Sequence, residues 1–212
     1  MLANTQPGPA FYIGAAILTI IALMVGVSVK NRRWAEFKLM AEAHGFTVPN
    51  RMPTLNGTWK LFAAKADGPR AVHMHGTWEE HSSSEVGHPL HRLTIRPQTT
   101  NGLEFSFQPV GLITRLQSAF GTQKLRTGDP DFDDEWTVET NQPTFLLSAL
   151  TPEIRDLFDG LKKPMGRNGV TLKDGVIAIT DNAFLRPHAR FARVLRLADA
   201  LAAMAEKFTP HG

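Results

Sequence analysis

"HRLTIRPQTTNGLEFSFQP", His91 to Pro109, holds two short runs of alternating apolar and polar residues on either side of Asn101-Gly102. Leu93 and Ile95 share one side of the first run, and Leu103, Phe105 and Phe107 share one side of the second. Alternation with period two marks a half-buried strand, because successive side chains point to opposite sides. Asn-Gly suits the two central positions of a tight hairpin turn, where both residues need positive φ. The stretch therefore predicts a β-hairpin. Just upstream, "GTWKLFA" (Gly57 to Ala63) and "RAVHMHG" (Arg70 to Gly76) flank a turn with Asp67-Gly68 and predict a second hairpin. Together the two hairpins are expected to form a four-stranded antiparallel unit with one packed face.

Outward from this core the period changes to helical. "VGLITRLQSAFG" spaces Leu112, Ile113, Leu116 and Phe120 as one apolar stripe. That stripe is read as a short helix covering a sheet or docking a partner. "EWTVET" is read as a strand. "NQPTFLLSALTPEIRDLFDGLKKP" gives two helical pieces, the second with Thr151 as N-cap, Pro152 at the first helical position and Ile154, Leu157, Phe158 and Leu161 inward. "GVTLKDGVIAIT" is a hairpin across Asp174-Gly175. "HARFARVLRLADALAAMAEKF" closes the chain as a helix with Phe191, Val194, Leu195, Ala198, Leu201, Ala205 and Phe208 on one side. Strands and helices in this order predict an α+β domain with an antiparallel sheet.

The first 29 residues carry no charged side chain. Ala10 to Val29, "AFYIGAAILTIIALMVGVSV", is an apolar run that would span roughly 30 Å as a helix, the thickness of a hydrocarbon core. The preceding "MLANTQPGP" has no basic residue, and the run is longer than the apolar stretch of a cleaved signal peptide. The expected organisation is a short tail (1–9), a transmembrane helix (10–29), a membrane-proximal helix (30–45) ending at Gly45, and one soluble α+β domain (46–212). Phe11, Ile17 and Leu23 stand for the membrane-embedded side chains, and Trp34 for an interfacial aromatic. Lys30, Arg32 and Arg33 follow the run directly. The positive-inside rule then puts the N-terminus outside and the domain in the cytoplasm of a bacterial inner membrane. The formal net charge of +3 is mild, and no Lys/Arg run is interleaved with aromatics, so nucleic acid is not an expected partner. The chain has no Cys, which argues against a disulfide-built exterior domain.

Two stretches carry residues capable of chemistry. Five of the eight His fall at positions 73, 75, 81, 88 and 91. His73 and His75 stand two apart on a strand, so they share a side, about 7 Å apart. Val72 and Met74 should take the buried side, leaving the His pair exposed. With His88 or His91 they could ligate a metal, although the spacing matches no established motif. The second stretch, "GDPDFDDEW" (Gly128 to Trp136), puts five acids into seven residues. It begins like a calcium loop, but the position requiring Gly is Asp134 and the position requiring Glu is Thr140. It is read instead as a turn in which Asp129 caps and Phe132 and Trp136 enter the core, the other acids staying in water or pairing with Lys124 or Arg126. No Gly-rich phosphate loop, G-x-S-x-G or H-E-x-x-H appears.

The second half resembles bacterial membrane-anchored proteins of unknown function. The match lies in Gly128, Asp129, Phe132, Asp133, Trp136 and Val138, then Leu150, Thr151, Pro152, Ile154 and Leu157, within Arg126 to Thr180. The resemblance implies no reaction and favours a structural role for the acids. The expectation is a binding, assembly or accessory-subunit protein rather than an enzyme. It would have no cofactor and no resident metal, with the lipid bilayer and a protein, possibly of a membrane complex, as partners. The alternative class is a metal-dependent enzyme or metal sensor built on His73 and His75.

Overall fold

In the computed structural model the described residues are 18–21, 24, 28, 32, 34–48, 59–65, 70–78, 89–110, 123–159, 161, 165–181 and 188–210. A first helix, α1, covers 34–43. It stops at Gly45 (φ +79), where the Phe46 N–H reaches the Ala41 carbonyl at 2.9 Å and the Gly45 N–H reaches Glu42 at 3.0 Å. That is the paired capping pattern only a left-handed residue allows, and it explains the glycine.

The elements that follow are β1 (Trp59–Lys65), β2 (Val72–Trp78), β3 (Pro89–Ile95), β4 (Phe105–Pro109), β5 (Gln123–Leu125), α2 (Pro130–Glu135), β6 (Trp136–Thr140), α3 (Pro143–Ala149), α4 (Pro152–Phe158), β7 (Met165–Lys173), β8 (Val176–Asp181) and α5 (His188–Glu206). All the strands belong to one sheet, in the order β1-β2-β3-β8-β7-β4-β6-β5. Every neighbouring pair is antiparallel. The α+β class and the antiparallel sheet thus match the sequence reading.

The expected four-stranded unit does not form. β1 and β2 pair as a hairpin, but β3 and β4 are not neighbours: the β7–β8 hairpin lies between them, Leu93 opposite Ile179 and Phe107 opposite Val170. Asn101 (φ 47) and Gly102 (φ 78) do make the left-handed turn, and the Leu103 N–H closes it on Thr100 at 2.8 Å. The turn bends an arch that spans the inserted hairpin, three strand spacings or roughly 14 Å across. The arch is held from outside. Asn101 Nδ2 donates to the Phe208 carbonyl at 2.6 Å, and the Gln98 N–H donates to Glu206 at 2.8 Å. Local turn chemistry was legible, whereas the choice of strand partner was a long-range matter.

Residues paired across the ladders share a face. One face carries Met74, Leu93, Ile95, Ile177, Ile179, Val170, Leu172, Phe105, Phe107, Val138 and Trp136, all buried. α5 buries Phe191, Val194, Leu197, Ala198, Leu201, Ala202 and Ala205. Leu197 takes the buried place expected for Leu195, which is only half-buried. β7 departs from regular register between Met165 and Val170. Gly169 sits there at φ +51, where a Cβ would collide with the Phe107 carbonyl oxygen.

The chain divides into two compact units, Met1–Leu39 and Met40–Gly212. Within the first, Leu18, Ile20, Ile21 and Met24 are helical and exposed, and the Trp34 and Phe37 rings stack at 5.9 Å. Among the described residues no helix is long and apolar enough to cross a membrane. Most of the Ala10–Val29 run, with Phe11, Ile17 and Leu23, lies outside those residues.

Candidate functional site

The acidic stretch does not form an ion cage. Asp129 caps α2, its Oδ1 accepting from the Phe132 N–H at 3.3 Å, while its Oδ2 lies 3.4 Å from Arg155 Nε on α4. Pro130 begins the helix, where its missing N–H costs nothing. Asp133 turns back and accepts from the Thr127 N–H (2.9 and 3.1 Å), the Thr127 hydroxyl (2.9 Å) and the Gly128 N–H (3.3 Å). Asp131 and Asp134 are exposed. The capping role of Asp129 matches the sequence reading. Two details correct it: a short helix replaces the bare turn, and the named partners are Arg155, Thr127 and Gly128 rather than Lys124 or Arg126. Asp-Pro ahead of a Phe was the available helix-start signal.

What α2 delivers is an aromatic cluster. Phe132 packs edge-on against Phe107 (6.4 Å) and Phe158 (5.5 Å), and Trp136 meets Phe158 at 5.0 Å. Phe158 in turn lies 4.8 Å from Phe107. The cluster joins α2, α4, β4 and β6 into one apolar layer. α4 starts at Thr151, as expected, but the Thr151 hydroxyl makes no cap bond to its own helix. It bonds to the Glu153 carboxylate instead, which holds that group below its ordinary range.

The histidines can be placed by register. His73 stands opposite Thr94 and Ala64, and His75 opposite Arg92 and Phe62, so both lie on the face away from Met74. His73 is half-buried, not exposed as expected. His91 pairs with Gly76 and Asp181 and therefore takes the opposite face from His73 and His75. The ladder does not bring these three His to one side. His88 lies outside the described residues, and so do Leu112, Ile113, Leu116 and Phe120. Among the described residues no three His, Asp or Glu side chains are grouped to hold a metal.

Two ionic clusters were not visible in the sequence. Arg70 grips Glu206 in a two-pronged pair (2.8 and 2.6 Å), with Asp199 at 3.5 Å. The Arg70 guanidinium holds the Glu206 carboxyl down to about 2, and Arg70 itself is raised by the same hydrogen bond. Asp181, fully buried at the end of β8, pairs with Arg190 Nε at 2.7 Å, and Arg190 Nη2 also donates to the Leu161 carbonyl at 2.9 Å. Arg193 donates to the Asp159 carbonyl. These groups tie the end of β8 and the residues after α4 to α5. An acid ending the apolar strand "VIAIT" was the one local hint, while Arg70 and Glu206 are 136 positions apart.

Over the described residues the chain is thus an α+β protein whose eight strands form one antiparallel sheet. No protein-family profile matches it, and no curated protein does. A solved structure with a similar fold is the crystal structure of the mycobacterial trehalose monomycolate transport factor A, TtfA. The identity is 9% and the TM-score 0.55, over 84% of this chain and 97% of that one. At that identity the likeness is one of fold.

Proposed function

We propose that this chain is a single-pass inner-membrane accessory or assembly protein, acting in a transport complex through binding rather than catalysis. The observation that carries this reading is the apolar run Ala10–Val29. Its described positions Leu18, Ile20, Ile21 and Met24 are helical and 47–69% exposed. Large apolar side chains left open on a helix call for a non-aqueous partner, and a bilayer satisfies all of them at once. The name of the fold neighbour, a transport factor, supports the accessory role. So does the structural use of the acids and arginines described above. The basic residues after the run favour an outside N-terminus and a cytoplasmic domain. The resemblance to membrane-anchored proteins carried by Gly128, Asp129, Phe132 and Trp136 belongs to the same reading.

The stripe Leu112, Ile113, Leu116 and Phe120 is the proposed docking surface for the protein partner. Purification from native membranes in mild detergent tests this. A defined membrane protein should co-purify, and Leu116→Asp should release it while the melting profile stays unchanged. A monomer without a companion in several detergents contradicts the proposal.

A further inference from the structure

The side-chain amide of an Asn is an electrophile for the backbone nitrogen of the next residue, and a following Gly puts no Cβ in the way. The chain holds three Asn-Gly pairs, at 56–57, 101–102 and 168–169. The first lies outside the described residues. In the third, Gly169 is buried and its backbone lies hard against the Phe107 carbonyl. The middle pair is the opposite case. Asn101 and Gly102 are both exposed, and nothing stands within 4 Å of where a Gly102 Cβ would project. Among the described residues the Gly102 N–H has no hydrogen-bond partner, whereas the next N–H, of Leu103, closes the turn on Thr100. The Asn101 amide is held at both ends. Oδ1 accepts from the Thr99 hydroxyl at 2.9 Å, and Nδ2 donates to the Phe208 carbonyl at 2.6 Å. The first bond draws electron density away from Cγ, the atom open to attack.

We propose that Asn101-Gly102 is a site of spontaneous deamidation that cuts the arch loose from the end of α5. The Gly102 nitrogen bonds to Asn101 Cγ and gives up its proton, the Cγ–Nδ2 bond breaks, and ammonia leaves. A cyclic imide remains. Water, the one co-reactant, opens it at either carbonyl and leaves aspartate or isoaspartate. The nitrogen that departs is the one that holds the Phe208 carbonyl. The carboxylate that replaces it has acceptors alone and turns like charge toward that carbonyl. Isoaspartate also lengthens the turn by a methylene in the main chain. Either product leaves the bond from the Gln98 N–H to Glu206 to hold the arch against α5.

The test incubates the folded full chain, in mild detergent at mildly alkaline pH, and maps its peptides by mass. The peptide with Asn101 should gain the mass of an amide exchanged for an acid, at a rate at least several-fold above that of Asn168. Isoaspartyl methyltransferase should label it. The map also separates Asn56. In concentrated urea the rates at Asn101 and Asn168 should converge, since both pairs are then open. A folded chain in which Asn101 does not convert, or converts no faster than Asn168, overturns the site. Asn101→Asp installs one product directly. It should lower the melting temperature and speed amide hydrogen exchange over 98–103, with β1 and β2 unchanged. A variant that melts and exchanges like the native chain overturns the loosening.

Discussion

Phe132 and Trp136 show why five clustered acids do not make a site. Both rings are buried, whereas Asp129 and Asp133 accept from backbone N–H groups and Asp131 and Asp134 face water. Phe132→Ala and Trp136→Ala should each cost about 3–5 kcal/mol in chemical denaturation. Asp131→Asn should stay within about 0.5 kcal/mol of the native protein. A large loss at Asp131 that calcium restores would revive an ion site. Gly169 is the sharpest single-residue constraint. Its positive φ and the Phe107 carbonyl beside it leave no room for a methyl group, so Gly169→Ala should destabilise well beyond the ~1 kcal/mol of an ordinary glycine substitution. An unchanged melting temperature would refute that geometry. Sequence reading found Asp129, Phe132 and Trp136 because their signals are local. It could not find Arg70 and Glu206, whose partnership exists only after folding.

At the scale of elements, the β1–β2 and β7–β8 hairpins were legible because each pairs neighbours in sequence. The arch between β3 and β4 was not, since Asn101-Gly102 makes the same left-handed turn in an arch as in a hairpin. What selects the arch is the insertion of β7–β8 and the fastening of Gln98 and Asn101 to the end of α5. The Arg70–Glu206 clamp tightens that same corner. The sign of its pH dependence follows from the lowered Glu206 carboxyl. Its stabilisation is complete above the ordinary carboxylate range and is lost as pH falls towards about 2. Glu206→Gln should therefore melt earlier at neutral pH, by about 1.5–3 kcal/mol of stability. The gap from the native protein should close between the ordinary range and that value, and a constant gap over the titration would deny the clamp. β8 and α5 share a second prediction. Asp181→Asn alone should cost about 3–5 kcal/mol by stranding Arg190, whereas replacing both with Leu should cost much less. A double variant as unstable as the single one would contradict this.

For the whole molecule, the sequence indicated an α+β domain with an antiparallel sheet behind an apolar segment, and the sheet and helices of the described residues match the α+β class. The strand order was beyond its reach, because four-residue alternation looks the same whichever strand lies beside it. The candidate site was less legible than the fold. The His pair shares a sheet face as expected, but His91 takes the other face, and Arg70, Glu206, Asp181 and Arg190 brace the fold. The proposed function therefore rests on the apolar segment. The most direct measurement is alkaline carbonate extraction of membranes containing the full chain, followed by sedimentation. The account predicts that the chain stays in the membrane pellet as an integral protein does. Complete release into the supernatant, alongside peripheral proteins, would contradict it.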